Sequence, residues 1–220
     1  MMVLQTLGIL ERDGSKAADT GSAFHAGAEA WHKTGEVQEA IAAMRSRLAD
    51  FPLADLHDAE LSLRPYCADP RNSPKVVVES EQTVTLTLET GEEPIIIRGR
   101  LDQIRDDGRL WDLKHSDRPG FELVHDYAYQ LACYAKAKGK QVGGIINPKG
   151  YRKRGVTDPS PPGVFWPTLW EQKHIDALMD EIIKVVLDIR YGRVPIRPGP
   201  HCSYCPAGSF RDCVDLQYPT

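Results

Sequence analysis

Residues 76–115 read VVVESEQTVTLTLETGEEPIIIRGRLDQIRDDGRLWDLKH, and no other stretch restricts the fold as strongly. Thr83, Thr85 and Thr87 alternate with Val84, Leu86 and Leu88, a period of two that a strand with one wet face requires and a helix cannot satisfy. The TGEEP segment turns the chain. IIIRGRLDQI and RLWDLKH then read as two further strands joined around DDG. On the first of these, Arg100 and Asp102 share one face while Leu101 joins Ile95 and Ile97 on the other. On the second, Asp112 and Lys114 oppose Trp111 and Leu113 in the same way. The loop length decides which residues meet. A two-residue DG loop sets Asp102 against Leu113, whereas a three-residue DDG loop with Gly108 left-handed sets Asp102 against Asp112. The three-residue loop is the expectation taken here.

Such a register has a chemical consequence. Two carboxylates directly opposed across a sheet repel each other. A cation between them resolves the conflict, and a hard divalent ion such as Mg²⁺ or Mn²⁺ suits oxygen ligands. The plainer alternative is an Asp–Lys ion pair on a solvated strand face.

The surrounding chain supplies helices. Ala-rich residues 21–49 have helical apolar spacing, with Ser22 as a candidate N-cap and Gly35 as a break. Residues 52–74 carry Pro52, Pro65, Pro70 and Pro74 and read mostly as loop. FELVHDYAYQLACYAKAKG reads as one helix ending at Gly139, QVGGIINP as a short strand, and LWEQKHIDALMDEIIKVVLDIRYG as an amphipathic final helix. The order α, β, β, β, α, β, α predicts an α/β fold in which a mixed sheet is flanked by helices.

A chain of 220 residues with 41% apolar content is large enough for one core, so residues 1–220 read as a single domain. Within it fall a helical part over 1–50, a core over 75–148 and a cysteine-bearing tail over 200–213. No apolar run reaches the roughly 18 residues of a membrane span, and MMVLQTLGILERDG lacks a signal-peptide pattern, so a cytoplasmic protein without a membrane partner is expected. The net charge of −4 excludes a wholly basic nucleic-acid-binding surface. Any contact with phosphate must then be local or carried by metal.

GRLDQI and GRLWDLKHS, followed by QLACY and preceded by GSAFHAGAE, resemble the PD-(D/E)XK nuclease superfamily. The similarity is to its RecB-like exonucleases, including the AddB nuclease domain and CRISPR-associated RecB-like nucleases. GSAFHAGAE resembles the family's G-x-x-x-H-x-x-x-E helix, and Gln130 with Tyr134 its Q-x-x-x-Y motif. Leu101 stands where the nominal proline falls, and Asp112 where many relatives carry Glu. The resemblance implies that His25, Asp102, Asp112 and the carbonyl of Leu113 ligate a divalent metal and that Lys114 is the catalytic lysine. Gln130 and Tyr134, one turn apart on a helix, would position the lysine, the water or a phosphate. Glu29 orients His25, binds a second ion or simply pairs with Lys33 one turn on. Glu79 and Glu81 stand where relatives often carry an acid, and otherwise read as solvated strand residues.

HCSYCPAGSFRDC places Cys202, Cys205 and Cys213 in a C-x2-C-x7-C pattern. In many RecB-like nucleases a similar trio joins an upstream cysteine to hold a 4Fe-4S cluster, but residues 1–24 contain none. Three readings stay open: a cluster completed by Cys67 or by a residue lost through a start placed too far downstream, a Zn²⁺ site using His201, or a remnant. Cys133 reads as core. The basic segment Lys149, Tyr151, Arg152, Lys153 and Arg154 offers cations for phosphates and a ring for single-stranded DNA, or is a solubilising loop.

The function expected is therefore a metal-dependent deoxyribonuclease. An exonuclease acting on single strands or free DNA ends in recombination, repair or phage DNA processing, with a helicase or recombination partner, fits best. The competing reading is a non-catalytic DNA-binding or assembly subunit that keeps the fold.

Overall fold

A computed structural model describes residues 16–49, 52–118, 120–153 and 164–193. Ser15–Met179 form one compact unit, and of the second only residues 180–193 are described. Three helices come first: α1 (Lys16–Thr34), α2 (Val37–Arg47) and α3 (Leu53–Ala68). Strands β1 (Val77–Leu88), β2 (Ile95–Arg105) and β3 (Leu110–Leu113) follow. Then come α4 (Gly120–Asp126), α5 (Ala128–Lys138), β4 (Val142–Ile146), β5 (Phe165–Pro167) and α6 (Gln172–Arg190), whose later part belongs to the second unit.

The five strands lie in the order β1-β2-β3-β4-β5, with β3 and β4 parallel and the other pairs antiparallel. A parallel pair needs a crossover, and α4 and α5 supply it. The mixed sheet flanked by helices is the architecture expected from the sequence. The alternation in β1 is also as expected, with Val84, Leu86 and Leu88 buried and the three threonines exposed. Trp111, Leu113 and Ile146 pack into one core with Phe24, Met44, Leu63 and Tyr66 of the first three helices.

Several local expectations are corrected. Ser22 lies inside α1, which begins at Lys16, so it is not at the helix's N-terminal boundary. Residues 53–68 are helix, not loop: Ala59, Leu63 and Tyr66 bury one face at helical spacing. Pro65, inside the helix, costs it the one hydrogen bond to the Leu61 carbonyl, which the burial of Ala59, Leu63 and Tyr66 outweighs. The helix expected after Pro119 is interrupted at Tyr127, and the three-residue β5 was not foreseen. No helix among the described residues is long and apolar enough to cross a membrane.

Candidate active site

The β2–β3 turn fixes the centre. Gln103 pairs with Trp111 and Ile104 with Leu110, so Asp102 falls in line with Asp112. The Arg105 amide donates to the Arg109 carbonyl at 3.0 Å, which leaves Asp106, Asp107 and Gly108 as a three-residue loop. Gly108 has φ +74°, a backbone that glycine adopts without a Cβ penalty. The expected register is the observed one. Both carboxylates are nonetheless buried, and the solvated strand face offered as the alternative is absent here.

Three elements converge on Asp102. The Nδ1 of His25, from α1, lies 3.4 Å from Asp102 Oδ1 and 3.2 Å from Glu81 Oε1 of β1. Ligand atoms of His25, Glu81 and Asp102 all lie within 4.8 Å of one another. Glu81 has φ +52°, the one described non-glycine residue with positive φ. Such a conformation costs on the order of 1 kcal/mol and is held only where the surroundings determine it. Here the residue is held by His25 and by Arg100, whose Nε lies 2.8 Å from Glu81 Oε2. Burial alone would lower the pKa of His25, but the carboxylates of Asp102 and Glu81 outweigh it and raise it to about 9.

Asp112 sits deeper. Its Oδ1 accepts from Gln130 Nε2 at 3.2 Å. Its Oδ2 has the Lys114 ammonium 2.9 Å away but no directed hydrogen bond. Burial, and then the charge of Asp102, raise its pKa to about 7, well above the ordinary carboxylate range. Lys114 is held cationic despite its own burial by Asp112 and Asp102. Its Nζ also lies 3.4 Å from Gln130 Oε1 and 4.1 Å from the centre of the Tyr127 ring. Gln130 Nε2 donates to the Tyr134 hydroxyl at 3.1 Å, so the two α5 residues act as one unit. A Cβ on Gly99 would stand 2.6 Å from Tyr134 Cε1, which explains why β2 carries glycine there.

The structure thus brings together His25, Asp102, Asp112, Lys114, Gln130 and Tyr134, with Leu113 between the last carboxylate and the lysine. Glu79 does not join them; it pairs with Lys138 at 2.8 Å. Glu29 pairs with Lys33 and Arg100. Glu81 and Tyr127 complete the cluster. Glu81 was legible only as one of two candidate acids, and Tyr127 carried no sequence signal, being one aromatic within an apparently continuous helix.

Of the basic segment, Lys149 pairs with Asp117 at 2.7 Å. Tyr151 is a correction: it is buried, donates to Asp69 Oδ2 at 2.7 Å and accepts from Asn72, so its ring is not on offer to a base. The side chains of Arg152 and Lys153, together with Arg154, His201, Cys202, Cys205 and Cys213, lie outside the described residues. Cys133 is buried as expected. Cys67 is buried in the helical core, and burial pushes its thiol up to about 12.

The donor set suits a hard cation: two inward carboxylates, a third acid in a strained backbone, an imidazole, and a buried carboxylate oxygen lacking a directed hydrogen bond. A model of the PD-(D/E)XK nuclease superfamily matches residues 3–210. No curated protein and no solved structure matches the chain.

Proposed function

The chain belongs to the PD-(D/E)XK nuclease superfamily, and on that premise we propose that it hydrolyses DNA phosphodiester bonds with a divalent metal held by His25, Glu81, Asp102 and Asp112. The observation that carries the reading is the buried alignment of Asp102 with Asp112 beside a cationic Lys114. The Leu113 carbonyl, between these residues, is a further ligand in this reading. Bound there, Mg²⁺ or Mn²⁺ supplies Lewis acidity toward the phosphodiester and acidifies a water.

The chain's own groups do the rest. Lys114, held by Asp112, Gln130 and Tyr127, presents a fixed positive charge where negative charge develops on the phosphate oxygens. Gln130 spans Asp112 and Lys114 and keeps both in one orientation, while Tyr134 fixes the Gln130 amide. His25, cationic in the metal-free fold, would lose its proton to solvent in order to hold the metal.

The finer reading is a RecB-like exonuclease acting on DNA ends in recombination, repair or phage DNA processing. The motif order, with His25 before the hairpin and Gln130 and Tyr134 after it, supports it. In the tail, Cys202, Cys205 and Cys213 hold a 4Fe-4S cluster with Cys67 as the fourth ligand, or Zn²⁺ with His201 as the fourth.

Digestion of end-labelled linear and circular DNA with Mg²⁺ or Mn²⁺ tests the activity. Cleavage of linear DNA alone is expected. Lys114→Ala should lower kcat by about 10²–10³-fold, the scale for removing one group that stabilises transition-state charge. Activity that survives both Lys114→Ala and Asp112→Ala sinks the assignment.

A further inference from the structure

With Tyr151 buried, the stacking ring has to come from elsewhere, and the sheet register points to a place. Asp102 lies in line with Asp112, Asp112 pairs with Ile145, and Ile145 pairs with Trp166. Residues paired across a sheet point to the same face, so Trp166 stands on the face of the two carboxylates. It is two strands from Asp112, roughly 10 Å at about 4.8 Å per strand.

Phe121 leans on it. The two rings meet edge to face with centroids 6.2 Å apart, and Phe121 is 63% exposed, unusual for a phenylalanine. The position is fixed rather than loose. Gly120 presses on the indole so closely that a Cβ there would overlap Trp166 Cδ1 at 1.8 Å. Asn147 Nδ2 donates to the carbonyls of Ser116 and Arg118 at 2.9 and 3.0 Å, anchoring the segment between Lys114 and α4. The nearby acids Glu122 and Asp126 are both paired with Arg118.

We propose that Phe121, backed by Trp166, is a stacking platform for a base of single-stranded DNA running to the Asp102–Asp112 site. With the 6.2 Å between the two rings added, Phe121 lies up to roughly 16 Å from Asp112, which at about 3.4 Å per stacked nucleotide places that base within about five nucleotides of the reacting phosphate. The platform gives affinity for an unpaired strand without sequence choice, because every base has a face to stack. A duplex end keeps its bases stacked on each other and gains nothing from it. The proposal rests on the nuclease reading of the carboxylate site, and the test separates the two.

Binding is measured by fluorescence anisotropy with Mg²⁺ in a Lys114→Ala background, so that DNA is not consumed. The probes are a labelled single-stranded oligonucleotide and a blunt duplex of the same length. Phe121→Ala should weaken single-strand binding by about 5- to 150-fold, the equivalent of the roughly 1–3 kcal/mol that base–aromatic stacking is worth. Duplex binding should stay within twofold, and Phe121→Trp should restore the single-strand affinity. Equal single-strand binding with Phe or Ala at 121, no measurable binding of the oligonucleotide, or an equal loss on the duplex overturns the platform. Cleavage by protein with Lys114 intact reports on the other reading. Cutting without Phe121-dependent binding removes the platform alone, and Phe121-dependent binding without cutting removes the nuclease reading alone.

Discussion

Replacing Asp112 with Asn should make the metal-free protein more stable while abolishing its response to metal. In the folded chain Asp112 is buried and in line with Asp102, and its pKa rises from 3.8 to about 7. At about 1.36 kcal/mol per unit, the ionised form is disfavoured by roughly 4 kcal/mol relative to a free carboxylate. Asparagine keeps the shape and removes the charge, but it also takes a partner from Lys114. A net gain of about 1–3 kcal/mol is expected, or roughly 2–12 °C in Tm at 2–4 °C per kcal/mol. The sign with pH follows from the raised folded pKa. The folded carboxyl holds its proton longer than the unfolded one, so the contribution of Asp112 to stability falls as pH rises from about 4 through about 7. The variant's advantage should therefore be small at pH 4, grow to pH 7 and stay level above it. Thermal unfolding in EDTA across this range measures it. Adding Mn²⁺ at about 1,000 times its Kd should stabilise the wild type by about 4.1 kcal/mol and the variant hardly at all, reversing their order. A variant less stable than wild type in EDTA at pH 8, or one that gains equally from Mn²⁺, would refute the argument that this carboxylate is kept for a cation.

Two further outcomes follow from other contacts. The Tyr127 ring lies 4.1 Å from the Lys114 ammonium, and a cation–π contact is worth about 0.5–2 kcal/mol; Tyr127→Leu should lower kcat roughly 2- to 30-fold with KM unchanged, and Tyr127→Phe should not, as steady-state cleavage kinetics will show. Burial, and then Arg105, lower His32 from 6.5 to about 4, so the folded state refuses a proton that the unfolded chain accepts. The contribution of His32 to stability, read in urea as the difference between wild type and His32→Gln, should fall by about 3 kcal/mol between pH 6.5 and pH 4, opposite in sign to that of Asp112, and a difference that does not change with pH would show that His32 is not responsible.

What could be read from the sequence depended on how local its cause was. The register of the carboxylate hairpin was legible because a glycine in a three-residue loop fixes it within a dozen residues. Helix α3 was not, because four prolines weigh heavily in a sequence while the buried face of Ala59, Leu63 and Tyr66 decides in the fold. Tyr151 lies in a stretch whose composition suggests solvent, yet Asp69 and Asn72, some eighty residues earlier, draw its hydroxyl inward. Tyr127 was hidden for another reason: its partner Lys114 lies just past the end of β3, and no local pattern ties the two together. Glu81 is the most telling case. Its side chain alone identified it as one acid of two, and only the left-handed backbone, imposed between His25 and Arg100, singled it out. Among the described residues two local rules are broken, like charges brought into line across a hairpin by its register and a positive φ away from glycine, and both are broken within reach of Asp102. Stability alone gives no reason for either, whereas a bound cation offsets the first and makes the second useful, which is why strain and repulsion together mark this site more sharply than any one motif does.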